Sequence, residues 1–208
     1  MTRYNNGIYD KEDLKGKTPS QWMKERFELF EATRESVLSQ DGDFEWVISF
    51  DERTPKSYID KVQTDERIVV TYVDCREYFD IEPVTDAEWV ITSRIDNDDL
   101  YIPGFVKAIQ DNFSPQVMVI DIDYYQLDLR DGQKYTSART TATSPFISLI
   151  EPASRVKTVY CRPHNKLRDG YPVDDGKKAI PAVKLRDILS YMVIHDDNMA
   201  NKIVGEKI

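Results

Sequence analysis

Three short apolar runs, each followed closely by an aspartate, constrain the fold of this chain more than any other feature. Trp46-Val47-Ile48-Ser49-Phe50 stops at Asp51, and Ile68-Val69-Val70-Thr71-Tyr72-Val73 stops at Asp74. Trp89-Val90-Ile91-Thr92 runs on through Ser93-Arg94-Ile95 to Asp96. Runs of this length, rich in β-branched and aromatic residues, read as buried strands. Helical patterns accompany them. Thr18-Pro19-Ser20-Gln21 reads as an N-cap, a proline at the first helical position and a capping-box glutamine. Met23, Phe27, Phe30, Val37 and Leu38 then recur at helical spacing until Gln40-Asp41-Gly42-Asp43. Thr54-Pro55 starts a second helix that runs to Gln63. Strands alternating with helices predict a parallel sheet with crossover helices, and such sheets bind ligands at the carboxyl ends of their strands. Asp51, Asp74 and Asp96 are therefore expected along one sheet edge.

The second half reads differently. A helix is expected over Pro103 to Asn112 and a long strand over Val117 to Leu129, with Asp131-Gly132 turning it into one arm of a hairpin. Phe146 to Ile150 and Val156 to Tyr160 read as short strands, and Val183 to Ile194 as a helix followed by a short strand ending at His195. Strand following strand predicts that the sheet becomes mixed here. The 208 residues suit one domain, large enough for a core without disulfide or metal staples. Cys75 and Cys161 make no disulfide framework and fit a reducing compartment, the cytoplasm. With 28 basic against 37 acidic residues, the net charge of -9 excludes a general nucleic-acid binder, which gains its affinity from phosphate contacts. Apolar runs such as Val117 to Ile120 fall far short of the about 20 residues of a membrane span. The polar stretch Met1 to Asp13 has no apolar stretch of the kind a signal peptide needs.

Asp96-Asn97-Asp98-Asp99 is the densest chemical feature. Packed carboxylates repel one another unless a cation sits among them, and oxygen-only ligation suits a hard divalent ion. The competing reading is a solvated loop that caps the following helix, and spacing alone favours neither. An EF-hand fits poorly, because the sixth position is Tyr101 rather than glycine and the twelfth is Lys107 rather than glutamate. Phosphate-loop, dinucleotide and nucleophile-elbow glycine motifs are missing from the sequence. Cys161 and His164 have C-x-x-H spacing but no second pair to complete a zinc site, so they read as a strand residue and a loop residue.

Asp96-Asn97-Asp98, placed after a buried strand and before a helix, resembles the DXD motif of GT-A glycosyltransferases. The longer string from Trp89 to Asp99 is similar to the signature of the putative rhamnosyltransferase family. Other blocks agree in order: Thr2-Arg3-Tyr4, Arg26-Phe27-Glu28-Leu29-Phe30, Ser36-Val37 with Gln40, and Trp46 to Asp51 with Thr54-Pro55. Ser144-Pro145-Phe146, Leu149-Ile150-Glu151, and Ile194-His195-Asp196-Asp197-Asn198 with Asn201 complete the set. The family begins with a β-strand ahead of its Thr-Arg-aromatic element. Here Met1 directly precedes Thr2, so either the fold lacks that strand or the sequence starts after it.

The resemblance implies a single GT-A-like α/β domain over residues 1–208, with a mixed, mainly parallel central sheet flanked by helices. It implies transfer of a sugar, rhamnose by the family's name, from a nucleotide-sugar donor to a glycan or other hydroxyl acceptor, with Mn²⁺ or Mg²⁺ as cofactor. Asp98 and His195 would hold the ion. Asp96 would contact the ribose, or the metal through water, Asp51 the base, and Arg3 the nucleotide-sugar, while Arg94 would pair with its diphosphate or hold the acidic cluster. Glu151 would be the general base, with Asp121, Asp123 and Asp169 as competitors. A binding module without turnover and a metal-dependent hydrolase using the same carboxylates are the alternatives.

Overall fold

The structure is a computed structural model that describes residues 1–72, 85–136, 143–173, 176–196, 198 and 202–208. Its elements are β1 (Thr2–Arg3), α1 (Pro19–Leu38), β2 (Trp46–Ser49), α2 (Lys56–Val62), β3 (Ile68–Thr71), β4 (Trp89–Ser93), β5 (Leu100–Tyr101), α3 (Phe105–Asp111), β6 (Met118–Asp128), β7 (Lys134–Thr136), β8 (Ile147–Pro152), α4 (His164–Leu167), β9 (Tyr171–Val173), β10 (Gly176–Lys178) and β11 (Ala182–Ile194). Among the described residues no helix is long and apolar enough to cross a membrane. Asp74, Cys75, Asp197 and Asn201 lie outside the described residues.

The alternation at the start of the chain does give a parallel layer. β1, β2 and β3 pair side by side in that order, Thr2 opposite Ile48 and Trp46 opposite Ile68. Helix α1 covers this layer. Its capping box is formed, with Thr18 Oγ1 accepting from the Gln21 N–H at 3.3 Å and Gln21 Oε1 accepting from the Thr18 N–H at 2.9 Å. Its buried stripe is Met23, Arg26, Phe30, Thr33 and Val37. Phe30 stacks on Trp46 and meets Tyr4 edge-on, with ring centroids 5.4 and 5.0 Å apart. Met1 joins this layer to β4, donating from its amino group to the Ser93 carbonyl and accepting from the Ile95 N–H.

The larger sheet departs from the expected mainly parallel one. It has six strands in the order β4-β8-β6-β11-β5, with β7 on β6, and among its pairs only β6 with β11 is parallel. The sheet curls. Residues 94–99 run from edge strand β4 to the opposite edge strand β5, and the Tyr101 hydroxyl on β5 donates to the Arg94 carbonyl at 3.0 Å. The acidic string thus lies across the mouth of the sheet, and its Asn97 side chain donates to the Tyr4 carbonyl at the end of the parallel layer.

Two expected elements are overturned. Val183 to Ile194 forms no helix: it is part of one 13-residue strand, β11, paired along β6. Register shifts between Leu185 and Ile188 and between Ile188 and Tyr191 break its two-residue period, which leaves the apolar spacing looking helical. Val156 to Tyr160 is not a strand. The N–H groups of Lys157 and Thr158 are taken by the Glu151 carboxylate and that of Val159 by Thr92 Oγ1, so side chains replace the ladder.

Candidate active site at the mouth of the curled sheet

The acidic string divides its side chains between two faces. On the α1 side, Asp98 Oδ2 accepts from His195 Nε2 at 3.0 Å, although the two residues are 97 positions apart. β11 delivers His195 just past its end. The turn that follows is held by Asn198, whose Oδ1 accepts from the His195 N–H at 2.6 Å and whose Nδ2 reaches Asp98 Oδ2 at 3.5 Å. Lys15 Nζ pins the same turn from the other terminus, donating to the Asp196 carbonyl at 2.6 Å. Arg26 of α1 completes the centre, with its guanidinium paired to Asp98 Oδ2 and 3.5 Å from His195 Nε2. The three side chains are 6, 11 and 8 % exposed for Arg26, Asp98 and His195. A cleft of about 290 Å³ opens beside His195, between Arg130, Asp196 and Lys202.

On the β8 side, Arg94 Nη2 grips both oxygens of Asp96 at 3.1 and 2.9 Å. Arg3 and Arg94 both lie over the Tyr160 ring, at 5.1 and 5.5 Å from its centroid. Desolvation opposes the Asp96 charge, but Arg94, then Arg3 and His164, outweigh it and hold the carboxyl below its ordinary value. Arg94 Nε is buried and has no hydrogen-bond partner among the described residues. A buried donor without an acceptor is costly unless a ligand supplies one. Positive groups around a partly open carboxylate, with one donor left over, form a setting for an anion.

Asp99 turns inward and accepts from the Val193 N–H at 2.9 Å, two residues before His195. Burial, reinforced by Asp98 and Asp96, pushes its carboxyl well above the ordinary range. It locks the string to β11. The capping reading is not what the string does, because α3 starts beyond Gly104 without a side-chain cap.

The remaining expected residues sit elsewhere. Asp51 follows β2, and both its oxygens accept from Arg53, chiefly accounting for a carboxyl pKa below its ordinary value. Glu151 is fully buried, and its oxygens accept from the Lys157 and Thr158 N–H groups and the Tyr171 hydroxyl at 2.7–3.0 Å. It pairs with Val90, three residues along from the Ser148–Ser93 pair that adjoins the acidic string, a distance of about 10 Å. Those contacts make Glu151 the anchor of the 153–158 turn. Of its competitors, Asp169 is exposed and pairs with Arg168. Asp121 accepts from the Ser144 N–H. Asp123 pairs with Lys184 at 2.8 Å and lies two residues beyond the Asp121–Ile147 pair.

As to a metal, the Asp98 carboxylate fits Mn²⁺ or Mg²⁺ in donor type, whereas the His195 imidazole is a poor ligand for Mg²⁺. Asp98 and His195 are the pair the fold brings together. Among the described residues no third His, Cys, Asp or Glu joins them. Cys161 is buried and His164 Nδ1 lies 3.1 Å from the Thr143 carbonyl, so the C-x-x-H pair is not drawn into a metal cluster among the described residues.

A family model described as putative rhamnosyl transferase matches residues 12–207. The chain belongs to that family. No curated protein matches the chain. The family match spans α1, the acidic string and β11 alike, so Arg26, Asp98 and His195 all lie inside it. Sequence reasoning named Asp98 and His195 but missed Arg26. Its signal was present: position 26 falls on the apolar stripe with Met23 and Phe30, where a charged residue needs a buried partner. Tyr160 and His164 left no comparable signal, since their neighbourhood to Arg94 and Asp96 is made by a turn.

Proposed function

We propose that this member of the putative rhamnosyl transferase family transfers a sugar, rhamnose by the family's name, from a nucleotide-sugar to an acceptor hydroxyl on a GT-A-like scaffold. The observation that carries this is the meeting of Asp98 with His195 on a string whose other face presents Asp96, Arg94 and Arg3. Arg94 and Arg3 bind the donor diphosphate, with the unpartnered Arg94 Nε–H as one donor to it. Asp96 takes a ribose hydroxyl, and Asp51, once Arg53 yields one oxygen, reads the base. Asp98 and His195 hold a divalent ion. When bound, such an ion neutralises charge on the leaving diphosphate. The proton acceptor is assigned to Asp123 of β6, whose side chain is 17 % exposed, in preference to the fully buried Glu151.

The test is a screen of nucleotide-sugars with hydroxyl acceptors, scored by release of nucleoside diphosphate. Release only with acceptor present supports transfer. Release without acceptor makes the chain a hydrolase, and saturable binding with no release makes it a binding module. Asp123→Asn should lower the turnover by about 10²–10⁴-fold, the usual loss on removing a general base, with donor affinity unchanged. A variant with full turnover would remove Asp123 from the mechanism.

A further inference from the structure

The segment between β8 and β11, residues 153–181, differs in charge from the rest of the chain. It holds seven basic and three acidic residues, whereas the remainder holds 21 basic and 34 acidic. Its elements α4, β9 and β10 form a small lobe fixed to the larger sheet, for Leu167, Tyr171 and Ile180 share a core with Ile147 and Leu149 of β8. The near end of the lobe lies at the site. His164 is one of the positive groups acting on Asp96, and Arg168, paired with Asp169, also feels the charge of Asp121. Asp121 and Asp123 share one face of β6 with Val119, which packs in the lobe's core. The far end is the β9–β10 ribbon. Tyr171 bonds Glu151 there, four residues along β8 from the Ile147 carbonyl that holds the Arg94 N–H, or about 13 Å. Lys166 on α4 and Lys177 and Lys178 on the ribbon are exposed, and none pairs with a carboxylate among the described residues. Elsewhere Lys56, Arg67 and Lys107 have acidic partners two to four positions away.

We propose that this lobe docks the acceptor, and that the acceptor is an acidic glycan chain. The inference rests on the reading of the chain as a sugar transferase. Lysines are point charges on flexible stems and attract anionic groups without demanding one geometry. That suits a polymer with charges repeated along it. The span from α4 to the ribbon exceeds one sugar ring, so several anionic units engage the lobe while the hydroxyl of one unit reaches Asp123. The net charge of -9 does not cancel this attraction, because charges more than about 8–10 Å away are largely screened at physiological salt. An anionic bilayer fits less well. Surface binding joins basic charge to inserted apolar side chains, and none of the exposed large hydrophobic residues falls within the described part of 153–181.

The experiment measures the fluorescence anisotropy of end-labelled octagalacturonate, with labelled maltooctaose as the neutral probe of equal length. The proteins are wild type, the triple variant Lys166→Glu/Lys177→Glu/Lys178→Glu and the double variant Lys56→Glu/Lys107→Glu. Wild type should prefer the acidic probe, and the triple variant should bind it about tenfold more weakly, the loss expected from several surface charges worth up to about 1 kcal/mol each. The double variant, altered away from the lobe, should stay near wild type. Glutamine at the three lobe positions removes charge without reversing it, should lose less, and serves as the test if the glutamate variant does not fold. Equal binding of the two probes, or equal losses in the triple and double variants, overturns the lobe as a docking site. Stronger binding to phosphatidylglycerol vesicles than to octagalacturonate, lost in the triple variant, overturns the glycan in favour of a membrane surface. Nucleoside diphosphate release is read separately on wild type. Acceptor-dependent release with no preference for the acidic probe defeats the lobe alone, whereas charge-dependent binding without release on any donor defeats the transferase reading alone.

Discussion

The two faces of the acidic string handle the same problem, a carboxylate held next to cations, in opposite ways. On the α1 side Asp98 is closed in: Arg26, His195 and Asn198 converge on one oxygen, and the side chain is 11 % exposed. On the β8 side Asp96 is one-third open, at 36 %, and its partner Arg94 keeps a buried donor unused. The closed face is an internally satisfied centre that a ligand must break into. The open face is an incomplete one that a ligand completes. A sugar donor with a diphosphate suits both at once, since it brings acceptor oxygens to the open face and a reason for the closed one to rearrange.

The largest effect expected from this contrast is on stability. Asp98→Ala leaves the Arg26 guanidinium buried without its carboxylate, and should cost about 3–5 kcal/mol. Asp96→Ala removes the carboxylate that Arg94 holds at 2.9 Å, but at a partly solvated place, and should cost at most about 1 kcal/mol. Urea denaturation of both variants checks the difference. Similar losses would erase the distinction between a closed and an open face.

Next in size is the anchor behind the open face. Glu151 accepts two backbone N–H bonds across a turn in which Thr158 sits at φ 62°, a left-handed conformation rare for threonine. Glu151→Gln replaces one accepting oxygen with a donor and strands a buried N–H, so it should cost about 1–3 kcal/mol. Turnover per folded molecule should be unchanged, whereas a general base would show the reverse pattern. The cost should also depend on pH. Burial, against the pull of Tyr171 and the turn N–H groups, raises the Glu151 pKa above its ordinary 4.5. The folded state therefore holds this proton more tightly than the unfolded one. That contribution is full below pH 4.5 and fades as pH climbs through the raised value, so the penalty of the substitution should be larger in acid than at neutrality.

How much of this was legible in the sequence depends on whether the contacts are local. The capping box at Thr18, the buried run at Trp46 and the strand of Met118 to Asp128 rest on local pattern, and the structure places them as read. The parallel layer followed from strand and helix alternation. The antiparallel character of the larger sheet did not, because β4 finds β8 as its partner across nearly sixty positions. β11 was misread since its two register shifts disguise a strand as a helix. Among site residues, Asp98 and His195 came from family likeness rather than from spacing. Glu151 reads from the sequence as a candidate base because a glutamate at a strand end looks alike whether it faces substrate or closes a turn. The charged position on the α1 stripe was readable on physical grounds and was passed over.

The smallest effect concerns how the open face is kept in shape. Tyr160 is buried and has two guanidinium groups over its ring, Arg3 and Arg94. Each such contact is worth about 0.5–2 kcal/mol, more where water is excluded. The ring also keeps two like charges placed side by side, which would otherwise drift apart into solvent. Tyr160→Leu keeps an apolar filler and removes the π-face. It should weaken nucleoside diphosphate binding by about 1 kcal/mol, or roughly fivefold, through loss of arginine placement rather than of a direct contact. Mn²⁺ affinity measured without nucleotide should stay at the wild-type value, because the closed face does not lean on Tyr160. Calorimetric titration of the two ligands separates the cases. A Tyr160→Leu protein that loses Mn²⁺ and nucleotide binding together would show that the two faces are one coupled site, and the comparison of a closed with an open face would then fail.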